Sequence, residues 1–374
     1  MSNTLLPITV SHGIGIASTR RLSLRALVGL FILLATLPMA RSQTYPEAIY
    51  ATYGFHYNNQ VAANTGPGVV AFSPGNQEAL LIWCGSGGHV QTAIQEYVGY
   101  AGTVNTTSIP CTGAGGTGRI SVTQYTPSGG APTFYAIGQP LNNGYDTEFT
   151  MISSTDGINW TSYQANVTCG GSPDSSLYQG FGLSTFTHNV GGTPTTQLVL
   201  AYSTTCGGGG GPSVAVSTDG VNFAWQAAVS SNTMYDHTSP WFESPAVLQW
   251  PGNNNLYVSY FNSSSQPVIA QSADGVTWSS TVSGIGIFNR DAMLFAHDDA
   301  LWFGAQSYYG ASNIWLAGTL DGTDFGYANG GEYPNAYNQG GVTTTSPVAT
   351  EMQGDFLLVF RGSNGDLYVS YTSE

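Results

Sequence analysis

The sequence predicts an all-β protein, and three observations support that prediction. The chain is rich in Gly (49) and Tyr (22) and contains only 7 basic residues, all of them Arg. Short runs of β-branched and aromatic residues recur between clusters of Gly, Asn, Ser and Pro, as is typical of strands and turns. No long stretch places apolar residues at helical spacing.

One group of runs shows the repeating unit. It consists of Ala246–Trp250, Leu256–Tyr260 and Val268–Ser272, followed by a fourth extended stretch near Thr281. Four antiparallel strands in chain order form one blade of a β-propeller. The same template fits five further groups, whose innermost runs begin at Val69, Ile120, Phe181, Met293 and Pro347. The sequence therefore predicts a six-bladed β-propeller of four-stranded antiparallel blades, or a five-bladed one if the first group is irregular.

The last group of runs ends the chain without a fourth strand. Its final run is Leu367–Tyr371, and only three residues follow. We expect residues around Ala48–Tyr53 to supply the missing outer strand and close the ring. Residues 43–374 are thus predicted to form a single propeller domain.

The first 42 residues have the pattern of an export signal peptide. Arg20, Arg21 and Arg25 precede the apolar run Ala26–Ala40, and small residues follow at Ala40 and Ser42. The run is about 15 residues, shorter than the roughly 20 that cross a bilayer, so no membrane anchor is expected after cleavage. The arginine pair also resembles a twin-arginine signal. The mature protein is expected to be secreted, or periplasmic.

The charge balance excludes two classes of partner. Four of the arginines belong to the signal or its cleavage site, which leaves Arg119, Arg290 and Arg361 against all 21 acidic residues. A surface with this excess of negative charge repels nucleic acid and anionic membranes.

We expect a carbohydrate ligand and a monomeric protein.

Four cysteines lie in the exported part, and their number predicts two disulfides. Order along the chain favours Cys84 with Cys111 and Cys169 with Cys206 among the three possible pairings. No Cys-x-x-Cys pair occurs and the six His are scattered. A metal cluster is therefore not expected, and no cofactor is predicted.

A seven-residue phrase occurs four times, at Ser154–Trp160, Ser217–Phe223, Ser272–Trp278 and, more weakly, Thr319–Phe325. In each copy Asp-Gly supplies a hairpin turn, the Asp oxygens accept nearby main-chain N–H groups, and the aromatic residue covers the turn. The phrase resembles the Asp-box, or BNR repeat, of the sialidase superfamily, in a form one residue shorter. The resemblance implies that these turns join the third and fourth strands of a blade, away from substrate. Asp156, Asp219, Asp274 and Asp321 are accordingly interpreted as structural.

Candidate binding residues lie where the loops of a propeller open around its central channel. They are Arg119, Arg290, Arg361, Asp236, His237, Trp241 and Tyr145. Arginines there can hold a carboxylate or polarise sugar hydroxyls, and aromatic rings can stack under a sugar.

Glu243 and Asp291 are the candidate catalytic pair. Glycoside hydrolysis requires two carboxyl groups roughly 5–10 Å apart, and these two residues precede the innermost strands of adjacent predicted blades. Glu243-Ser244-Pro245 resembles the acid-bearing segment of arabinanase-like hydrolases and the Glu-containing segment of sialidases. These similarities imply a sialidase-like glycoside hydrolase that acts on a polysaccharide or glycoconjugate.

The sialidase pattern is incomplete in this sequence. No Arg-Ile-Pro segment is present, and the residues that flank the three arginines differ from the family pattern. The alternative prediction is a non-catalytic propeller that binds a glycan or a protein.

Overall fold

The computed structural model describes most of the chain after residue 45. The described residues are 46, 49, 53–57, 61–62, 65–111, 118–142, 148–174, 177–206, 211–231, 234, 244–281, 288–307, 314–326, 347–362 and 364–372. The chain divides into two compact units, Met1–Gln43 and Thr44–Glu374. All described residues belong to the second unit.

The first half of this unit contains three antiparallel meanders. After β1 (Tyr53–Tyr57) and β2 (Thr65–Gly66), the first meander is β3 (Gly68–Phe72), β4 (Glu78–Cys84), β5 (His89–Gln95) and β6 (Val104–Pro110). The second is β7 (Gly118–Tyr125), β8 (Thr133–Gly138), β9 (Glu148–Ser154) and β10 (Thr161–Cys169). After β11 (Ser172–Pro173), the third is β12 (Tyr178–Val190), β13 (Thr193–Ser203), β14 (Pro212–Ser217) and β15 (Asn222–Ala228).

The second half continues the same pattern. The next meander is β16 (Ala246–Gln249), β17 (Leu256–Phe261), β18 (Pro267–Ser272) and β19 (Ser279–Thr281). A three-stranded sheet follows, with β20 (Phe288–His297), β21 (Ala300–Ser307) and β22 (Ile314–Thr319). The last sheet contains β23 (Val348–Met352), β24 (Asp355–Arg361) and β25 (Leu367–Tyr371). The described residues contain one short 3₁₀ turn, Gln139–Leu141, and no helix among them is long and apolar enough to cross a membrane.

The sheets pack face to face around a common centre. Middle strands such as β4 and β17 are almost fully buried, because each lies between two neighbouring sheets. Every pair of consecutive sheets, including the last and the first, shares one buried apolar cluster. The first strands of the meanders contact one another in the order β3, β7, β12, β16, β20, β23 and back to β3. This is a β-propeller arrangement, as the sequence predicts.

The ring closes through the strand from the start of the domain. β1 pairs antiparallel with β25, so the last sheet reads β1-β25-β24-β23. The closing strand is Tyr53–Tyr57 and not Ala48–Tyr53 as predicted. Its final residue explains the shift, because the buried Tyr57 ring stacks on Trp83 of the first meander at 5.7 Å between centroids.

Both disulfides have the pairing that chain order favours, which confirms the prediction. Cys84–Cys111 lies within the first meander. Cys169–Cys206 joins the end of β10 to the segment after β13. The outer strands β10 and β15 also pair in parallel, so the second and third meanders form one continuous sheet.

Candidate functional site

The four repeated phrases form turns along one edge of the propeller, which we call the turn edge. Three of them join the third and fourth strands of a meander, and the fourth follows β22. In the third copy, the Asp274 carboxylate accepts bonds from the Ser272 hydroxyl (2.9 Å) and the N–H groups of Val276 (2.8 Å) and Thr277 (2.7 Å). Gly275 has φ +76°, a value that a side chain would strain.

Hydrogen bonds keep these carboxylates ionised. For Asp274, the N–H groups of Thr277 and Val276 lower the pKa from 3.8 to about 2. Burial raises the pKa of Asp219, but bonds from Asn222, Val221 and Ser217 outweigh it, and the pKa also falls to about 2. A carboxylate whose pKa lies this low cannot donate a proton at neutral pH. These aspartates therefore act as hydrogen-bond acceptors within their turns and are not suited to the role of proton donor.

A cavity of about 250 Å³ occupies the centre of the ring and is lined by the first strands. The end at which those strands begin lies opposite the turn edge. We call this end the mouth edge. Arg119 lines the cavity near the mouth edge, and Glu351 and Gln249 line it near the other end. Val122 and Phe295 contribute apolar side chains between them. The cavity thus carries a basic group at one end and an acidic group at the other.

Arg119 connects three first strands at the mouth edge. Its side chain begins on β7, is only 4% exposed, and donates from Nη1 to the Ala292 carbonyl oxygen (2.6 Å) and from Nη2 to the Pro245 carbonyl oxygen (2.8 Å). Ala292 lies in β20, and Pro245 directly precedes β16. The planar guanidinium suits this role because its N–H groups point in fixed directions. The starts of β16 and β20 are thereby held together around one buried positive charge.

Strand β20 is irregular at the point where Arg119 meets it. Arg290 pairs with Gln306 and Met293 pairs with Gly304, so Asp291 and Ala292 both face the single residue between them on β21. Such a bulge redirects a side chain and is frequent beside active sites. It falls at the predicted catalytic residue Asp291.

A third strand approaches the same point. A Cβ atom added at Gly182 of β12 would lie 2.4 Å from the Pro245 carbonyl oxygen, which is closer than van der Waals contact allows. The strands β7, β12 and β16 therefore converge on Pro245, two residues after Glu243. Ser244, between them, is fully buried, and its hydroxyl has no hydrogen-bond partner among the described residues. Its place beside Glu243 in the sequence was the only signal that could have identified it.

The structure describes the other predicted site residues to different extents. Arg361 ends β24, is half-buried with a pKa lowered by that burial, and is not among the residues that line the cavity. The backbone of Arg290 and Asp291 belongs to β20, but their side chains lie outside the described part of the structure. The remaining predicted site residues lie outside the described residues altogether, namely Glu243, Asp236, His237, Trp241 and Tyr145.

No metal centre is formed by the residues that the structure describes. Within those ranges no group of three or more His, Cys, Asp or Glu side chains is arranged to hold an ion.

Comparison with known proteins relates the chain by fold alone. No family model matches it, and no curated protein sequence matches it. Among solved structures it is similar to AofleA from Arthrobotrys oligospora, in a triple arginine mutant form, with a TM-score of 0.57 and 10% identity over 88% of this chain and 92% of that one. It is also similar to Aleuria aurantia lectin with bound Fucα1-6GlcNAc, with a TM-score of 0.55 and 11% identity over 84% and 96% of the two chains. Another structure of the Aleuria aurantia lectin, described as a six-bladed β-propeller, has a TM-score of 0.53 and 11% identity over 84% and 93%.

Proposed function

We propose that this protein is an exported six-bladed β-propeller that binds carbohydrate at the mouth edge of its channel and cleaves a glycosidic bond there. Six blades are supported by the closed series of contacts among β3, β7, β12, β16, β20 and β23. The two disulfides support an oxidising, extracytoplasmic location. Membership of the sialidase superfamily stays a proposal based on the four repeated turn phrases.

The observation that supports a site at the mouth edge is the pair of bonds made by Arg119. They bring together the segment that follows Glu243 and the strand that contains Asp291. These are the two carboxylates that the sequence predicts to be catalytic. A separation of roughly 5–10 Å would place them on either side of a scissile bond.

The chain position of the two carboxylates relative to Arg119 suggests a division of roles. Asp291 directly precedes the Ala292 residue whose carbonyl oxygen Arg119 binds, whereas Glu243 lies two residues before Pro245. In this proposal Asp291 is the base or nucleophile and Glu243 is the proton donor to the leaving oxygen. Arg119 acts through the strands it connects, so it is a positioning residue in this proposal.

The remaining predicted residues would contact the sugar. Trp241 and Tyr145 would stack under a ring, while Arg290, Arg361, Asp236 and His237 would bond its hydroxyl groups. The substrate is a polysaccharide or glycoconjugate, and the excess of 21 acidic over 7 basic residues in the chain favours a neutral one.

A carbohydrate-binding propeller without catalysis is the second candidate. It is favoured by the solved structures that share the fold, because two of them are structures of one lectin, one of them with a bound Fucα1-6GlcNAc. It is also favoured by the engagement of Arg119 with main-chain carbonyl groups, which leaves it less able to contact a ligand.

Turnover of a panel of glycosides and polysaccharides by the exported protein separates the candidates. Asp291→Asn and Glu243→Gln are each expected to lower kcat at least 10²-fold, a typical loss for a general acid or base. Glu78→Gln is the matched control, because Glu78 begins β4 at the turn edge, and it should leave kcat unchanged. Glycan binding without turnover, unaffected by Asp291→Asn, would refute catalysis and favour the lectin.

A further inference from the structure

The loop between β5 and β6 departs from the repeated pattern of the turn edge. It occupies the position that the Asp-Gly phrase has in the next three meanders, but its sequence is Glu96-Tyr97-Val98-Gly99-Tyr100-Ala101-Gly102-Thr103. Both tyrosine side chains are open to solvent, Tyr97 at 64% and Tyr100 at 74% exposure. The other large apolar side chains exposed in the described residues are aliphatic: Ile158, Val190, Val221, Val276 and Leu320.

A tight turn holds the two rings close together. The Tyr100 N–H donates to the Tyr97 carbonyl oxygen (3.4 Å), and Gly99 has φ +88°. Positive φ at the third position identifies a type II turn, in which the first and fourth Cα atoms lie within about 7 Å. The two tyrosines therefore project from neighbouring points on the surface.

The turn is fixed by residues from two other parts of the chain. The Gln353 amide donates to the Glu96 carbonyl oxygen (2.9 Å) and to the Gln77 carbonyl oxygen (2.8 Å). The Tyr57 hydroxyl donates to the Gly102 carbonyl oxygen (3.1 Å). A Cβ added at Gly99 would lie 2.6 Å from the Tyr371 hydroxyl oxygen, so the turn packs directly on that ring. The surface is thus formed before a ligand binds. Little of the binding free energy would be lost in ordering the loop.

The geometry points to an accessory binding site for a neutral saccharide at Tyr97 and Tyr100. An exposed tyrosine ring offers an apolar face to the C–H groups of a sugar and a hydroxyl that can bond to it. The surface area that two tyrosine side chains offer is far less than the roughly 800 Å² per partner that a stable protein interface buries. A small ligand such as a saccharide therefore fits this site better than a protein. The adjacent Glu96 and the acidic composition disfavour an anionic sugar.

This site lies at the turn edge, opposite the mouth edge. The inference rests on the proposed function in one respect, namely that the ligand is a saccharide. It would hold a polysaccharide chain to the protein independently of the channel. Weak attachment at a second site raises the effective concentration of the chain at the first. A protein that acts on insoluble or branched glycans gains from such a site.

Native gels cast with arabinan, galactan, xylan or mixed-linkage β-glucan test this proposal. At least one polysaccharide is expected to retard the wild-type protein. The double variant Tyr97→Ala with Tyr100→Ala should bind that polysaccharide about tenfold more weakly, a step of about 1.4 kcal/mol. The matched variant Tyr97→Phe with Tyr100→Phe keeps both ring faces and should stay within about threefold of wild type. Because both side chains are exposed, all variants should unfold at the wild-type temperature.

Other outcomes overturn the accessory site. One such outcome is that no gel retards the wild-type protein. Another is that the alanine double variant is retarded as strongly as wild type. The Asp291→Asn variant keeps the two sites distinguishable. Its retardation should equal that of wild type even where turnover is lost, and loss of retardation in that variant would assign all binding to the mouth edge.

Discussion

The two edges of this propeller use charged side chains in opposite ways. At the turn edge, each repeated aspartate bonds to residues within three positions of itself, as Asp274 does with Ser272, Val276 and Thr277. At the mouth edge, Arg119 bonds to carbonyl groups 126 and 173 residues away in the sequence. The same local hydrogen-bond arrangement is repeated along the turn edge, whereas the mouth edge depends on contacts between separate sheets.

This difference separates structural groups from functional candidates. The turn-edge aspartates Asp219, Asp274 and Asp321 have lowered pKa values because their carboxylates accept bonds within their own turns, so these three groups are unsuited to donating a proton. The mouth edge combines a bulge, a buried charge and a close approach of strands, and such irregularities concentrate at functional sites. Residues that interrupt the repeat are therefore the ones to examine for function.

Replacing Arg119 should have the largest effect on stability. Arg119→Met removes both bonds and leaves the Pro245 and Ala292 carbonyl oxygens buried without that donor. We expect the free energy of unfolding to fall by about 3 kcal/mol, measured by urea denaturation.

A matched arginine substitution checks the cause. Arg361→Met makes the same change in charge at a half-buried position that does not line the cavity, and it should lower stability by less. Equal losses in the two variants would mean that Arg119 has no special role in joining β16 to β20.

Removing one turn-edge carboxylate should have a smaller effect. Asp274→Ala deprives the Val276 and Thr277 N–H groups of their acceptor, and we expect a loss of about 2 kcal/mol in the same urea assay. The control is Asp324→Ala, since Asp324 contributes its main-chain N–H to the fourth turn (3.1 Å to Asp321). A loss confined to Asp274→Ala would show that the carboxylate acceptor, and not negative charge in general, stabilises the turn.

The pH dependence of stability should show the smallest difference. The pKa of Asp274 falls from 3.8 to about 2 on folding, so its contribution is fully present above about pH 4 and is lost as the pH falls towards 2. The gap in urea midpoint between wild type and Asp274→Asn should therefore be widest above pH 4 and narrow towards pH 2. A gap that stays constant over this range would contradict the lowered pKa.

Much of the fold could be predicted from the sequence because blades form from strands that are close along the chain. The runs at Leu256–Tyr260 and Val268–Ser272 became β17 and β18 within a residue. Longer-range features were harder to predict. The sequence predicts the closing strand several residues too early, since the position of that strand depends on how Tyr57 packs against Trp83 of another sheet.

The candidate site was only partly predictable. Arg119 could be selected as one of three arginines outside the signal segment, but nothing in the sequence indicates that its partners are main-chain carbonyl groups. Tyr97 and Tyr100 were two among 22 tyrosines. Their exposure depends on how the loop packs on Tyr371 and Gln353, which are distant in the sequence.

The sequence by itself determined the β-propeller class and the local turn chemistry of the repeated aspartates. These features depend on interactions between residues near one another in the chain, where periodicity and turn chemistry act directly. Only the tertiary structure decided the closing strand, the joining of β7, β16 and β20 by Arg119, and the exposed tyrosine pair. Each of these depends on contacts between distant segments, and such contacts form only when the ring of sheets closes around its centre.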